Sequence, residues 1–414
     1  MNHNPINMRM FALNILHAVL VRKHKAKASL EHMMAEQSWE ARDAALLREM
    51  VYGVLRYYYS LEADVSRFIQ QKPDEHSRIA LLLGAYQLRY MRIPDHAAVS
   101  ETVAAIKPYS PNAAGFVNAV LRKLITHDAP KKLKPHQRAE LPKWMYANWR
   151  DTFGAEQVQT MMQACKTTPD LCIAVLGDRL SWIEQATAQG FTATEGELSP
   201  YAVLLPSHTQ VSALPAYDSG GFIVIDQAAQ AATVGVSLLK EQGHILDLCA
   251  APGGKTALLA YRFPQASITA IENNPKRIPR LQENLNRLNI ENVDVVEADA
   301  THLPYADNSM DAIMLDAPCS ASGTLRRHPD AKFLHDKTSM EEASVLQKTL
   351  LEEALRVLQQ GGTLVYAVCS IHPQENEAVV NAFQGVQSTQ RLFPDTTHDG
   401  FFFAQIVKPK EENI

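Results

Sequence analysis

Two cysteines stand where covalent chemistry wants them. Cys319 lies in Asp316-Ala317-Pro318-Cys319-Ser320 and Cys369 in Val368-Cys369-Ser370, each after an apolar run of strand length. Short apolar runs of this kind predict buried strands. Both thiols are therefore expected at the carboxyl edge of one parallel sheet, where open α/β folds take their ligands. A thiolate is a strong nucleophile toward an electron-poor carbon. A cysteine met at random is more often a small buried hydrophobe, but Pro318 and Ser320 flank one thiol and Ser370-Ile371-His372-Pro373 follows the other. Neither setting suits a sealed core, and the pair predicts covalent catalysis.

Upstream, Ile245-Leu246-Asp247-Leu248 runs into Cys249-Ala250-Ala251-Pro252-Gly253-Gly254-Lys255, a strand followed by a Gly-rich turn. A triphosphate-binding loop needs glycine where Cys249 stands, and a dinucleotide fingerprint needs a spacing that Pro252-Gly253-Gly254 does not supply. What remains is a compact turn whose glycines let backbone approach a small ligand. Glu272 ends the next strand, where a carboxylate can take both ribose hydroxyls of an adenosine, and Asp299 follows the third, where it can accept from an adenine amino group. Asp247 and Asp316 line the same edge. One acid after a strand is usually a cap or turn residue, but four beside a Gly-rich turn predict an acidic cleft. S-adenosyl-L-methionine, whose sulfonium is cationic, suits it.

These residues need a sheet to hold them. After about Gly220, strands are expected at Ile245–Cys249, Ile268–Glu272, Val293–Ala298, Ala312–Asp316 and Thr363–Cys369, with helices near Lys255–Arg262, Pro275–Leu288 and Met340–Leu358. Phe401–Val407 alternates and predicts an antiparallel terminal strand. Strand and helix in turn give a doubly wound, Rossmann-like α/β domain. From Met8 to about His127 apolar residues recur at three and four, as in Leu46/Leu47/Met50/Val51/Val54/Leu55, with prolines between, and an all-α bundle is expected. Between them lie a basic, Pro-bearing linker at Lys131–His136, a helix at Ala155–Ala164, and strands around Cys172–Val175 and Tyr201–Leu205. The expected division is a helical domain over 1–130, a linker with a small α+β segment over 131–215, and the α/β domain over 216–414.

At 414 residues and 46% hydrophobic composition the chain can bury several cores. Five widely spaced cysteines without a CxxC pair support neither a disulfide framework nor a zinc site, and a reducing cytoplasm is expected. Met10–Val21 reads as an amphipathic helix rather than a leader, and no run has the length of a membrane span. The net charge of −5 hides an asymmetry: residues 1–140 hold 20 Lys+Arg against 13 Asp+Glu, so the helical part is basic and the rest acidic. A basic module joined to an acidic one points to a polyanionic partner, with a solvated basic surface as the alternative.

The Gly-rich turn, the Asp316–Ser320 segment with Arg326-Arg327-His328-Pro329-Asp330 after it, and Tyr366-Ala367-Val368-Cys369-Ser370 closely resemble the RNA cytosine-5 methyltransferases. The helical part, with Arg42-Asp43-Ala44-Ala45, Val51-Tyr52-Gly53-Val54-Leu55-Arg56 and His96–Val103, resembles the RNA-binding fold of the antiterminator NusB. Their pairing is that of the bacterial 16S rRNA methyltransferase B (Sun/Fmu-like) group. The resemblance implies S-adenosyl-L-methionine held by Cys249–Lys255, Glu272, Asp299 and Asp316, with Cys369 as nucleophile and Cys319 assisting product release. It further implies 16S rRNA as the partner and, in that family, cytosine 967 as the target. No metal and no membrane are implied, and a monomer is expected. Glu272 stands where the family often has Asp, and Val368 where it usually has Thr. C5 of cytosine is a poor nucleophile until a thiolate adds at C6, with hydrogen bonding at N3 that Asp316 is placed to provide. Other readings stay open: the two thiols with roles reversed, since DNA cytosine methyltransferases use a Pro-Cys resembling Pro318-Cys319; a tRNA or another rRNA site; a noncatalytic RNA-binding factor; or a small-molecule methyltransferase.

Overall fold

The computed structural model describes residues 7–35 and 39–410. Two compact units result: one takes the chain up to Lys166 together with Leu325–Asp336, the other Thr167–Thr324 and the chain from Lys337 onward. The segment expected as a separate middle piece is thus divided between them at Lys166.

The first unit is helical, as its 3-4 periodicity requires. Helices Met8–Leu20, Ala41–Arg56 and Glu75–Tyr90 bury Leu13, Leu16, Leu47, Met50, Val54, Leu82 and Leu83 in one core. Glu75–Tyr90 is buried continuously from Ile79 to Gln87, which marks it as the central helix. Start signals are local: the Asn7 side chain accepts from the Arg9 N–H at 2.9 Å, and Asp74 accepts from the Ser77 N–H at 3.0 Å. Gly53 must be glycine, because a Cβ there would fall inside the Tyr86 ring.

Leu325–Asp336 completes this unit from far along the chain. Asp330 Oδ2 accepts the backbone N–H of Ala26, the first residue of helix Ala26–Ala35, at 2.9 Å. Phe333 meets Tyr58 edge-on and stacks on Tyr59. The buried Lys332 ammonium donates to the carbonyls of Arg56 at 3.2 Å and Glu140 at 2.8 Å. Glu140, itself buried, accepts from the N–H groups of Tyr59 and Ser60 at the start of helix Tyr58–Ser66. Burial pulls the Lys332 pKa down to about 8 against the pull of the Glu140 charge.

The second unit holds two sheets. β1 (Leu171–Val175), β2 (Thr194–Glu195), β3 (Ala202–Leu205) and β4 (Phe222–Val224) form a small antiparallel sheet in the order β2-β3-β1-β4. β5 (His244–Leu248), β6 (Ser267–Glu272), β7 (Val293–Glu297), β8 (Met310–Asp316), β9 (Leu358–Val368), β10 (Val386–Leu392) and β11 (Phe401–Val407) form the large sheet in the order β10-β11-β9-β8-β5-β6-β7. From β7 to β9 it is parallel; β11 runs antiparallel to β9, as its alternation predicts, and β10 pairs with β11. β10 was not expected: its Val386-Gln387-Ser388-Thr389-Gln390-Arg391 is polar because it is an edge strand with little buried surface. β5 has β6 on one side and β8 on the other, so the chain reverses its direction of winding there and leaves a crevice at the carboxyl ends of β5 and β8. Among the described residues, no helix is long and apolar enough to cross a membrane.

Candidate active site

β5 delivers Asp247 and then the Gly-rich turn to that crevice. The strand ends at Leu248, one residue earlier than expected, because Cys249 takes a left-handed backbone (φ 60°) that no strand continues through. Gly253 is also left-handed (φ 98°) and precedes helix Gly254–Arg262; a Cβ on it would come within 2.6 Å of Leu281 Cδ1. The turn therefore packs closely against Leu281 of helix Ile278–Arg287, and the first amides of Gly254–Arg262 have no partner within their own helix.

Lys255 opens that helix and reaches Asp316 at the end of β8, with Nζ 2.7 Å from Oδ2. Burial pulls the Lys255 pKa down, but Asp316, aided by Cys369 and Asp247, outweighs it and holds the ammonium above its usual range. Nζ also lies 5.5 Å from the centre of the Phe401 ring. Asp247 is fully buried; Oδ2 accepts from Thr256, while Oδ1 has no hydrogen-bond partner among the described residues. Burial, with the Asp316 charge beside it, pushes its pKa up to about 7.

The two expected thiols meet. Cys319 Sγ and Cys369 Sγ lie 3.4 Å apart, both partly buried, at the ends of the neighbouring strands β8 and β9. Their surroundings differ. Cys369 acts on the pKa of the Lys255 ammonium, whereas Cys319 feels the Glu375 carboxylate. The hydrogen bond to Cys369, with burial behind it, holds the Cys319 thiol well above its ordinary pKa. Either sulfur can donate to the other across this contact. Cys249, by contrast, is pushed up to about 12 by burial and three nearby carboxylates, which leaves it an inert thiol of the turn.

The remaining acids behave less alike than their positions suggest. Glu272 ends β6 beside the turn, but its carboxylate is buried and already accepts from the N–H groups of Ala251 (3.3 Å) and Asn274 (3.0 Å), with Arg277 Nη1 at 3.0 Å. Asp299 lies after β7 on the same edge, exposed, its Oδ1 accepting from the backbone and hydroxyl of Thr301, which lower its pKa. The structure thus gathers Asp247, Lys255, Asp316, Cys319 and Cys369, ties Glu272 to the turn at Ala251, and leaves Asp299 at the rim.

Residues 236–384 match the 16S rRNA methyltransferase RsmB/F family and residues 6–126 the NusB family. The ribosomal RNA small subunit methyltransferase B of Cronobacter sakazakii is 33% identical, over 97% of this chain and 99% of its own. That of Vibrio vulnificus is 34% identical, over 97% and 100%. The chain belongs to the ribosomal RNA small subunit methyltransferase B family. Solved structures share its fold: PH0851, with a TM-score of 0.80 at 21% identity over 97% of this chain and 99% of that one, and NSun6 from Pyrococcus horikoshii with SFG, with 0.58 at 20% identity over 65% and 99%.

As a member of the methyltransferase B family the chain is an RNA methyltransferase that uses S-adenosyl-L-methionine. The crevice fits that group. Asp247 presents a buried carboxylate oxygen with no partner among the described residues, and Gly253 leaves room where a side chain would crowd the turn. The site also contains groups that the methyltransferase B resemblance did not mark. Arg277 ties Glu272 to the turn, also donating to the Ala251 carbonyl, and Glu375, with Ser320, Ser370 and Gln347, lies beneath the thiols. The repeated Cys-Ser at 319–320 and 369–370 was a visible signal for the serines; a buried glutamate in a loop gave none.

Proposed function

We propose that this protein methylates C5 of a cytosine in small-subunit rRNA through a covalent adduct between Cys369 and C6 of the base. It acts as a monomer in the cytoplasm, with the family's cytosine 967 of 16S rRNA as the target. The observation that carries the reading is the 3.4 Å thiol pair beside the Lys255–Asp316 pair at adjacent strand ends.

S-adenosyl-L-methionine, held by Cys249–Lys255, Asp247, Glu272 and Asp299, supplies an electrophilic methyl group. Of the two thiols Cys369 is the nucleophile, as the resemblance to the RNA cytosine-5 methyltransferases implies, with the Cys319 sulfur 3.4 Å away and the Lys255–Asp316 pair at the neighbouring strand end. Its sulfur forms a bond to C6, the C5–C6 double bond opens, and the electron pair moves to C5, which would then form its bond to the methyl group as the methyl–sulfonium bond breaks. As charge arrives at N3, a proton passes from the Lys255 ammonium through the Asp316 carboxylate to N3, and it returns by the same route when the adduct breaks down. Cys319 gives its own proton to solvent water and, as the thiolate, takes the one on the methylated C5; the C5–C6 double bond reforms and the Cys369 thiolate leaves. C6 of a stacked, paired base is out of reach, so the target cytosine must be unstacked or flipped. The basic helical unit contributes phosphate contacts that fix position more than sequence.

The thiols are expected to fail differently. Cys369→Ala lowers methyl transfer by roughly a thousandfold or more while cofactor binding stays intact. Cys319→Ala accumulates a covalent protein–RNA complex on a denaturing gel. A trapped complex in Cys369→Ala instead would reverse the roles, and full activity in both variants would end the covalent mechanism. Mapping 5-methylcytosine in 16S rRNA and tRNA from a strain lacking the protein tests the target.

A further inference from the structure

Beneath the two thiols lies a polar cluster that the reaction as written does not use. Glu375, fully buried, accepts from the Ser320 N–H at 2.8 Å and Gln347 Nε2 at 3.2 Å through one oxygen, and from the hydroxyls of Ser320 and Ser370 through the other. Those serines follow Cys319 and Cys369 directly. Their hydroxyls lie 3.2 Å apart, and Ser370 also meets Ser322 at 2.9 Å. Gln347 donates to the Pro318 carbonyl at 2.8 Å, on the other side of Cys319. The Glu375 backbone is held in turn by the Tyr366 hydroxyl at 2.7 Å, from within β9. Ser320, Ser322, Ser370, Gln347 and Tyr366 are all buried.

Four donors converge on one carboxylate, which is acceptor-only when ionised and so satisfies them all. Strand pairing ends at Asp316 and Ala367, short of the thiols, and beyond it the Gly323 N–H to Cys369 carbonyl bond at 3.0 Å joins the loops on one side while the Glu375 carboxylate joins them through Ser320 and Ser370. We propose that Glu375 is a positioning residue that clamps the Cys319 and Cys369 loops together through Ser320 and Ser370 and so sets the distance between the two sulfurs. The clamp rests on the covalent reading for its part in catalysis. Its part in thiol geometry stands apart from that reading.

A trivalent arsenical tests the geometry without RNA. Phenylarsine oxide condenses with two thiols: two As–S bonds form, the As–O bond breaks, and the oxygen leaves as water with both thiol protons. Wild type should form the bridged adduct, seen by intact mass, and Cys319→Ala should not. Glu375→Gln keeps shape but offers only one acceptor oxygen to the four donors; it should bind S-adenosyl-L-methionine as wild type does yet bridge at least roughly tenfold more slowly. Its kcat on rRNA should fall on the order of a hundredfold with KM unchanged, the scale of a 1 Å misplacement. Ser370→Ala, which removes one donor and disturbs folding less, should show a smaller loss in both readouts. Bridging and kcat at wild-type rates in Glu375→Gln and Ser370→Ala would overturn the clamp. Slow bridging in these variants with no covalent RNA complex in Cys319→Ala would keep the clamp and sink the covalent reading.

Discussion

Asp247 carries the most exposed consequence of burial at the scale of one residue. Its pKa stands at about 7 in the folded chain against an ordinary value of 3.8, with burial as the main cause and Thr256 opposing. Between those values the folded protein holds a proton that the unfolded chain has lost, so this group's contribution to stability falls as pH rises from about 4 to about 7 and is flat above. Urea unfolding of the cofactor-free protein should show that decline, and Asp247→Asn should remove it. The same slope in the variant would show that another group is responsible. Cys319, Cys369, Asp316 and Lys255 were readable from sequence because their type and their place after a strand carry the information. Glu375 was not, since what makes it informative is its set of partners, drawn from residues 320, 347 and 370 and brought together only by folding.

Helix Ala26–Ala35 shows what an element can owe to a distant segment. Its sequence offers no capping side chain before Ala26, and the Asp330 carboxylate fills that position from 304 residues away. Asp330→Ala leaves a buried N–H unmet and should cost about 1–3 kcal/mol in urea unfolding, whereas Asp330→Asn, which keeps an acceptor, should cost less. Equal losses in the two variants would mean that charge, rather than the hydrogen bond, holds the helix end. The elements themselves were largely legible. Helix Ala155–Ala164 and strand Phe401–Val407 lie where their periodicities put them. The misses have physical causes: β10 buries too little to be patterned, and Cys249 leaves its strand for a backbone conformation that residue type does not announce.

For the molecule as a whole, charge is the lever. Arg22, Lys25 and Lys27 lie exposed on the basic helical unit. In the full-length chain, replacing all three by Gln should weaken binding to a small-subunit rRNA fragment and make the slope of log K against log salt shallower by about 2–3, since each phosphate no longer neutralised is worth about 0.7–0.9. An unchanged slope would move the RNA surface elsewhere. Sequence charge showed which unit is basic, but not that this unit includes Leu325–Asp336.

That interleaving sets a timetable for synthesis. Chains generally fold domain by domain from the N-terminus as they emerge, yet here the unit that begins first cannot close on Asp330, Lys332 and Phe333 until residue 336 has left the ribosome. At ~5–20 residues per second that is roughly ten to thirty seconds after Lys166. For that interval Tyr58, Tyr59 and the amide end of Ala26–Ala35 wait for Phe333 and Asp330, so the newborn chain carries an unfinished helical face until the last of the segment is made.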